Sequence, residues 1–215
     1  MFRRLIALLL CLFALPALAQ TTPRPPSPLV RVEMKTTEGN IVLQFDKTKA
    51  PVTVANFLHY VDQKRLDGVT FYRTVKVEEN FGFVQFGVRN DPKRVLPPIK
   101  HEPTSETGLK HLNGTVSIAR LKPGSASGDF TIMMGDQPSM DADPSKPGDN
   151  LGYAAFGQVI EGMEVVKKIF DSPTGPAGPF VGQMLAAPVK IVTARRVPVP
   201  AAAPASPAPA TPPAN

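Results

Sequence analysis

The chain has 215 residues, with 24 Lys and Arg against 18 Asp and Glu and a formal charge of +6. That length fits one domain with appendages, and a 42% apolar share supplies a core, which excludes a wholly disordered chain. The absence of tryptophan and a 7% aromatic share argue against an aromatic platform for nucleic acid. The basic pairs Lys64-Arg65, Lys167-Lys168 and Arg195-Arg196 are scattered and do not form a binding stripe.

The first segment stands apart. Arg3 and Arg4, an apolar run over residues 5–15 and Ala17-Leu18-Ala19 have the layout of a secretory signal peptide, residues 1–19, whose apolar run is too short to span a bilayer. Its cleavage would remove both arginines, lowering the formal charge to +4, and would remove Cys11, the only cysteine. The mature chain would then have no thiol chemistry and no stable membrane insertion. Residues 20–28 read as a Pro-rich spacer, with Pro23, Pro25, Pro26 and Pro28. Residues 198–215 are uncharged and rich in Pro and Ala, which predicts a disordered, polyproline-like tail. The folded domain is therefore expected over 29–197.

Within that window most segments have strand character. Val30, Val32 and Met34 alternate with Arg31, Glu33 and Lys35, the period of a half-buried strand. Glu38-Gly39-Asn40 turns the chain into a second strand over 41–45, making a hairpin. A helix follows, opened by Pro51, with Val54, Phe57, Leu58 and Val61 on one face. Further strands are predicted over 70–75, 83–86, 115–119, 130–134, 154–159 and 189–194, with a second short helix over 163–170. Eight strands and two helices predict a mainly β fold, a closed antiparallel barrel capped by the helices.

The usual reaction chemistries find little support. His59, His101 and His111 lie far apart without metal-binding spacing. The centre of Gly124-Ser125-Ala126-Ser127-Gly128 is alanine where a serine hydrolase places its nucleophile, so this reads as a flexible loop. Asp136, Asp141, Asp143 and Asp149 fit no calcium-loop spacing and are interrupted by Pro138, Pro144 and Pro147, which makes a surface loop the expectation. No glycine-rich nucleotide loop is present. An enzyme built on this sequence is expected to work without metal, cofactor or covalent nucleophile.

The order of several short strings resembles the cyclophilin-type peptidyl-prolyl isomerases. They are Gly39-Asn40-Ile41, residues 49–57 (Lys-Ala-Pro-Val-Thr-Val-Ala-Asn-Phe) and 68–73 (Gly-Val-Thr-Phe-Tyr-Arg), where Tyr72 replaces the histidine of the family's Phe-His-Arg strand. Gln85, residues 97–100 with Glu102, 114–120, 153–159, 162–166 and 188–191 follow in family order. The resemblance spans nearly the whole 29–197 window and implies an eight-stranded cyclophilin-like barrel with two helices, closest in detail to the exported, periplasmic bacterial branch. It also implies an isomerase acting on proline-containing unfolded or partly folded polypeptides, with no cofactor and no nucleic acid, working as a monomer.

The resemblance assigns Arg73 the catalytic position. It places Gln85, Ala119 and Arg120 along the bound peptide, and Leu151 and Tyr153 on the far wall of the proline pocket; Phe130 is expected in the core. Phe83, two residues before Gln85 and so on the same strand face, is the choice for a near wall. The sequence departs from the family at three points. About four residues are added between Phe71 and Gln85, Asp129 stands where glutamine is usual, and Thr131 stands where the pocket phenylalanine is usual. These changes predict a smaller, more polar pocket and leave open a second function, a non-catalytic, chaperone-like module that grips proline-containing chains.

Overall fold

In a computed structural model of the chain, which describes residues 28–200 except position 177, the alternating pattern of the first segment becomes a hairpin. The signal peptide, all but the last residue of the spacer, and the tail beyond residue 200 lie outside the described residues. Strands β1 (Leu29–Thr36) and β2 (Gly39–Asp46) pair with Val32 opposite Leu43 and Met34 opposite Ile41, all four buried. The remaining strands are β3 (Thr70–Glu78), β4 (Phe81–Gly87), β5 (Thr115–Ile118), β6 (Asp129–Met134), β7 (Ala154–Glu161), β8 (Thr174–Gly175) and β9 (Met184–Val197). Neighbours run β1-β2-β7-β5-β6-β4-β3-β9, and β9 returns to β1, so eight antiparallel strands close the barrel predicted from sequence. The two-residue β8 pairs only with the start of β9.

Several boundaries differ from expectation for local reasons. β3 runs on to Glu78, and the added residues lengthen a hairpin that turns at Glu79-Asn80, where Asn80 takes a left-handed φ of 59°. β5 ends at Ile118, and Ala119 keeps only a backbone bond to the Asp129 carbonyl at 2.9 Å. Alongside helices α1 (Pro51–Asp62) and α3 (Met163–Asp171) lies a third, the single turn α2 (Thr104–Thr107), too short to leave a periodic signal.

The two long helices close opposite ends of the barrel. At one end of β2, Phe45 packs against Phe57 of α1 with ring centroids 4.9 Å apart. At the other end Gly39 lies against Val165 of α3, so closely that a Cβ there would sit 2.8 Å from a Val165 methyl. Phe57, Phe130 and Phe156 share the interior with Phe45, and the Phe130 ring meets Phe57 edge-on at 4.9 Å. Phe130 is thus a core residue, as expected.

Helix α1 is capped by Ala50, whose methyl group cannot accept from the first N–H groups. Glu102, from the loop before α2, supplies the missing acceptors. One of its oxygens accepts from Val52 N at 3.0 Å and the other from Thr53 N at 2.8 Å and Thr53 Oγ1 at 2.7 Å. A carboxylate there also complements the positive end of the helix. Glu102→Ala is expected to destabilise the domain by about 1–2 kcal/mol, read as a lower urea midpoint, because it leaves buried donors of α1 unpaired.

Candidate active site

The outer face of β3 is re-aimed by a bulge. Phe71 pairs with Phe86 and Arg73 with Gln85, so Tyr72 is an extra residue on its strand. Phe71 and Thr74 remain buried, while the consecutive Tyr72 and Arg73 both face one groove. Pairing then aligns a row across five strands: Met184 on β9, Arg73 on β3, Gln85 on β4, Thr131 on β6 and Ser117 on β5. The first four of these line a groove of about 420 Å3.

The Arg73 guanidinium is held by amides. Its Nε and Nη2 donate to Gln183 Oε1 at 2.8 and 2.5 Å, and Nη1 donates to Gln85 Oε1 at 2.9 Å. The Phe180 ring lies 3.8 Å from the guanidinium carbon and the Phe83 ring 5.6 Å. Burial lowers the pKa of Arg73, partly offset by Tyr72 and Tyr153, and a guanidinium nevertheless stays charged at any physiological pH. The result is a half-buried, poorly hydrated cation with neutral partners beside an open groove.

Beside it, the Tyr72 hydroxyl donates to Asp129 Oδ1 at 3.0 Å, and the same oxygen accepts from Arg89 N at 3.1 Å. Burial pushes the Asp129 carboxyl above the usual carboxylate range, against the pull of those two hydrogen bonds and the Arg89 charge. Burial and the neighbouring carboxylate likewise raise the Tyr72 phenol, so it stays a donor. The Arg89 guanidinium covers the outer face of the Tyr72 ring, with 5.0 Å from its carbon to the centroid.

The far side of the groove carries Ala119, Arg120 and Tyr153. Arg120 reaches away from β5 to Asp149, with an Nη1–Oδ2 distance of 2.5 Å, and to the Gly152 carbonyl at 2.8 Å from Nε, holding the 149–153 segment against the barrel. Its guanidinium lies 5.3 Å from the Tyr153 centroid. A buried chain supports the same wall: Asp141 Oδ1 lies 2.7 Å from His111 Nδ1, and His111 Nε2 lies 2.9 Å from Ser117 Oγ. Met140, next to Asp141, accepts from Tyr153 N at 2.9 Å and joins the lining.

The structure therefore brings together Arg73, Phe83, Gln85, Ala119, Arg120, Asp129, Thr131 and Tyr153. Leu151 is a correction: it does not line the groove, because Gly152 turns the chain at a φ of 58° between it and Tyr153, and its carbonyl instead meets His101 Nε2 at 3.2 Å. Two loops also differ from expectation. The 124–128 loop is tied down, with Ser125 Oγ accepting from Leu121 N and Lys122 N and the Ser127 carbonyl from Asn56 Nδ2. Among the four aspartates, Asp141 is bound to buried His111 and Asp149 to Arg120, so this segment is a working wall as well as a surface loop. Sequence reasoning missed Arg89, Met140, Phe180, Gln183 and Met184; the one signal was an apolar Pro179-Phe180-Val181 inside a glycine-rich loop.

Other proteins resemble this chain in sequence and in fold. The family description "Cyclophilin type peptidyl-prolyl cis-trans isomerase/CLD" matches residues 31–196. Peptidyl-prolyl cis-trans isomerase A of Dickeya dadantii is 35% identical over 187 residues, which cover 84% of this chain and 90% of that protein. A peptidyl-prolyl cis-trans isomerase of Acinetobacter baylyi is 36% identical over 165 residues, covering 75% and 82%. A crystal structure of a Cryptosporidium parvum cyclophilin-type isomerase superposes with a TM-score of 0.63 at 19% identity, covering 80% of this chain and 99% of that one. The chain thus belongs to the cyclophilin-type peptidyl-prolyl cis-trans isomerases and is an isomerase of X–Pro peptide bonds.

Proposed function

We propose that Arg73 is the catalytic residue and that the enzyme accelerates X–Pro rotation during the folding of exported proteins. Rotation must break amide resonance across a barrier near 20 kcal/mol. As the bond twists, the proline nitrogen becomes pyramidal and basic, and a fixed donor beside it stabilises that state more than the planar one. Arg73 offers five N–H groups in a rigid plane, of which Gln183 and Gln85 take three, leaving two for substrate. The observation that carries the reading is that its partners are neutral amides, so the positive charge is not cancelled at the groove.

The remaining roles follow from position. With Gln85 Oε1 committed to Arg73, the Gln85 NH2 is the end left for a substrate carbonyl. Phe83 and Tyr153 supply apolar surface for the proline ring, while Thr131 and Asp129 make the groove smaller-sided and more polar. Ala119 and Arg120 border the path of the bound chain, Arg120 chiefly by holding its wall. A solved relative was crystallised with the dipeptide Ala-Pro, which supports a proline-containing ligand here as well. Export rests on the signal-peptide layout of residues 1–19 and on bacterial relatives; no helix among the described residues is long and apolar enough to cross a membrane. The periplasm is the compartment this reading assigns, with the 198–215 tail as an appendage outside the catalytic domain.

Three outcomes are expected. In an uncoupled tetrapeptide assay Arg73→Ala lowers kcat/KM by roughly a hundredfold to a thousandfold, the loss of a preorganised donor to the reacting group; wild-type turnover in this variant would instead favour a proline-peptide binder or another catalytic group. Deleting residues 198–215 leaves kcat/KM unchanged. Asp129→Asn raises the urea midpoint at pH 7. Because burial raises the folded-state pKa of Asp129, its contribution is favourable below the unfolded value of about 3.9 and is lost as pH rises through the folded value. The stabilisation by asparagine, which still accepts from Tyr72 and Arg89 N, should therefore vanish near pH 4.

A further inference from the structure

The turn between β8 and β9 has no counterpart among the sequence-predicted site residues, yet it makes the closest contacts to Arg73. Gln183 grips β3 twice. Its side-chain oxygen takes Nε–H and Nη2–H of Arg73, and its backbone oxygen accepts from Thr74 N, the next residue, at 2.9 Å. One oxygen receiving donors from two nitrogens of a planar group sets the orientation of that plane as well as its position. The turn is itself anchored: Gln183 N donates to the Phe180 carbonyl at 3.0 Å, Gly182 N to the Gly175 carbonyl at 3.2 Å, and Gly175 pairs with Met184.

Phe180 has no role in the core. It is 42% exposed and Val181 is 74% exposed, so burial does not explain an apolar pair at this tip. The Phe180 ring instead stacks on the guanidinium at 3.8 Å and lines the groove together with Tyr72, Phe83 and Tyr153. Thr131, next to Gln85 in the cross-strand row, contributes only a methyl and a hydroxyl, so the groove draws aromatic surface from its rim. A ring stacked on a guanidinium is attracted to it and also shields it from water, which strengthens the field the cation presents to a bound proline.

We infer that residues 179–183 are part of the active site: Gln183 is a positioning residue that orients the Arg73 guanidinium, and Phe180 is a substrate-facing wall of the proline groove. The inference rests on the reading of Arg73 as the catalytic residue. Gln183 acts through Arg73, so its removal affects turnover more than binding. Phe180 meets substrate directly, so its removal affects binding first.

The test compares the wild type, Arg73→Ala, Gln183→Ala and Phe180→Ala in full steady-state kinetics on a proline tetrapeptide, with solvent exchange of the Arg73 Nε–H followed by NMR. Gln183→Ala is expected to lower kcat about tenfold with KM held within about twofold, the pattern of lost orientation. Its Arg73 Nε–H should exchange with water faster than in the wild type, a change that a merely structural role for the turn would not produce at that atom. Phe180→Ala should raise KM several-fold. Wild-type kcat and a protected Nε–H in Gln183→Ala, or a wild-type KM in Phe180→Ala, would overturn the corresponding half of the inference while Arg73→Ala remained inactive. Wild-type turnover in Arg73→Ala would overturn the catalytic reading itself, and the positioning role with it.

Discussion

A cation kept half-buried without a counter-ion is the condition on which this site depends. A guanidinium paired with a carboxylate would satisfy its donors equally well, but the pair would present little net field to a neighbouring amide nitrogen. Gln85 and Gln183 provide hydrogen-bond acceptors without negative charge, so geometry is fixed while charge is retained. Arg120 differs: on the opposite wall its pairing with Asp149 neutralises the charge, and that arginine serves as a strut. Two of the three arginines lining the groove thus acquire different tasks from the charge of their partners.

The barrel makes such a site affordable by separating packing from chemistry. Inward-facing Phe71, Val84, Phe86, Phe130 and Ile132 fill the interior, and the alternate residues of the same strands are free to face the groove. Strict alternation would place Tyr72 and Arg73 on opposite faces. The bulge at Tyr72 suspends the alternation for one residue, so that both side chains point outward and a hydrogen-bonded Tyr72–Asp129 pair lies beside the cation. Asp129 is consequently a carboxylate bound to a phenol and a backbone N–H, and does not reach Arg73 as a competing counter-ion in the hydrogen bonds formed.

The departures from the family pattern also acquire physical meaning in three dimensions. The residues added before Gln85 extend a hairpin away from the groove, turning at Glu79-Asn80, so the insertion leaves the Arg73–Gln85 pairing intact. Thr131 puts a short polar side chain in the groove, and Phe180 brings a ring to it from a segment distant in sequence. Support for the far wall comes from further away still, through the buried contacts of Asp141, His111 and Ser117.

Local periodicity was enough to specify the eight barrel strands and the two long helices, because alternation and 3.6-residue spacing are imprinted on consecutive residues by the need to bury one face. The run Phe71-Tyr72-Arg73 and Gln85 stood out for a different reason, the resemblance of these strings and their order to a known family. Other features depended on contacts between distant segments. Glu102 caps a helix some fifty positions earlier, Leu151 is turned out of the groove by Gly152, and Gln183 and Phe180 meet Arg73 from across the barrel. Loops carry no repeating burial pattern, so the partners of a loop residue are decided by where strand closure delivers it. Sequence alone determined which strands could form and, through a family resemblance, singled out Arg73; tertiary structure decided which neutral groups hold that cation, because hydrogen-bond partners are chosen by proximity in space.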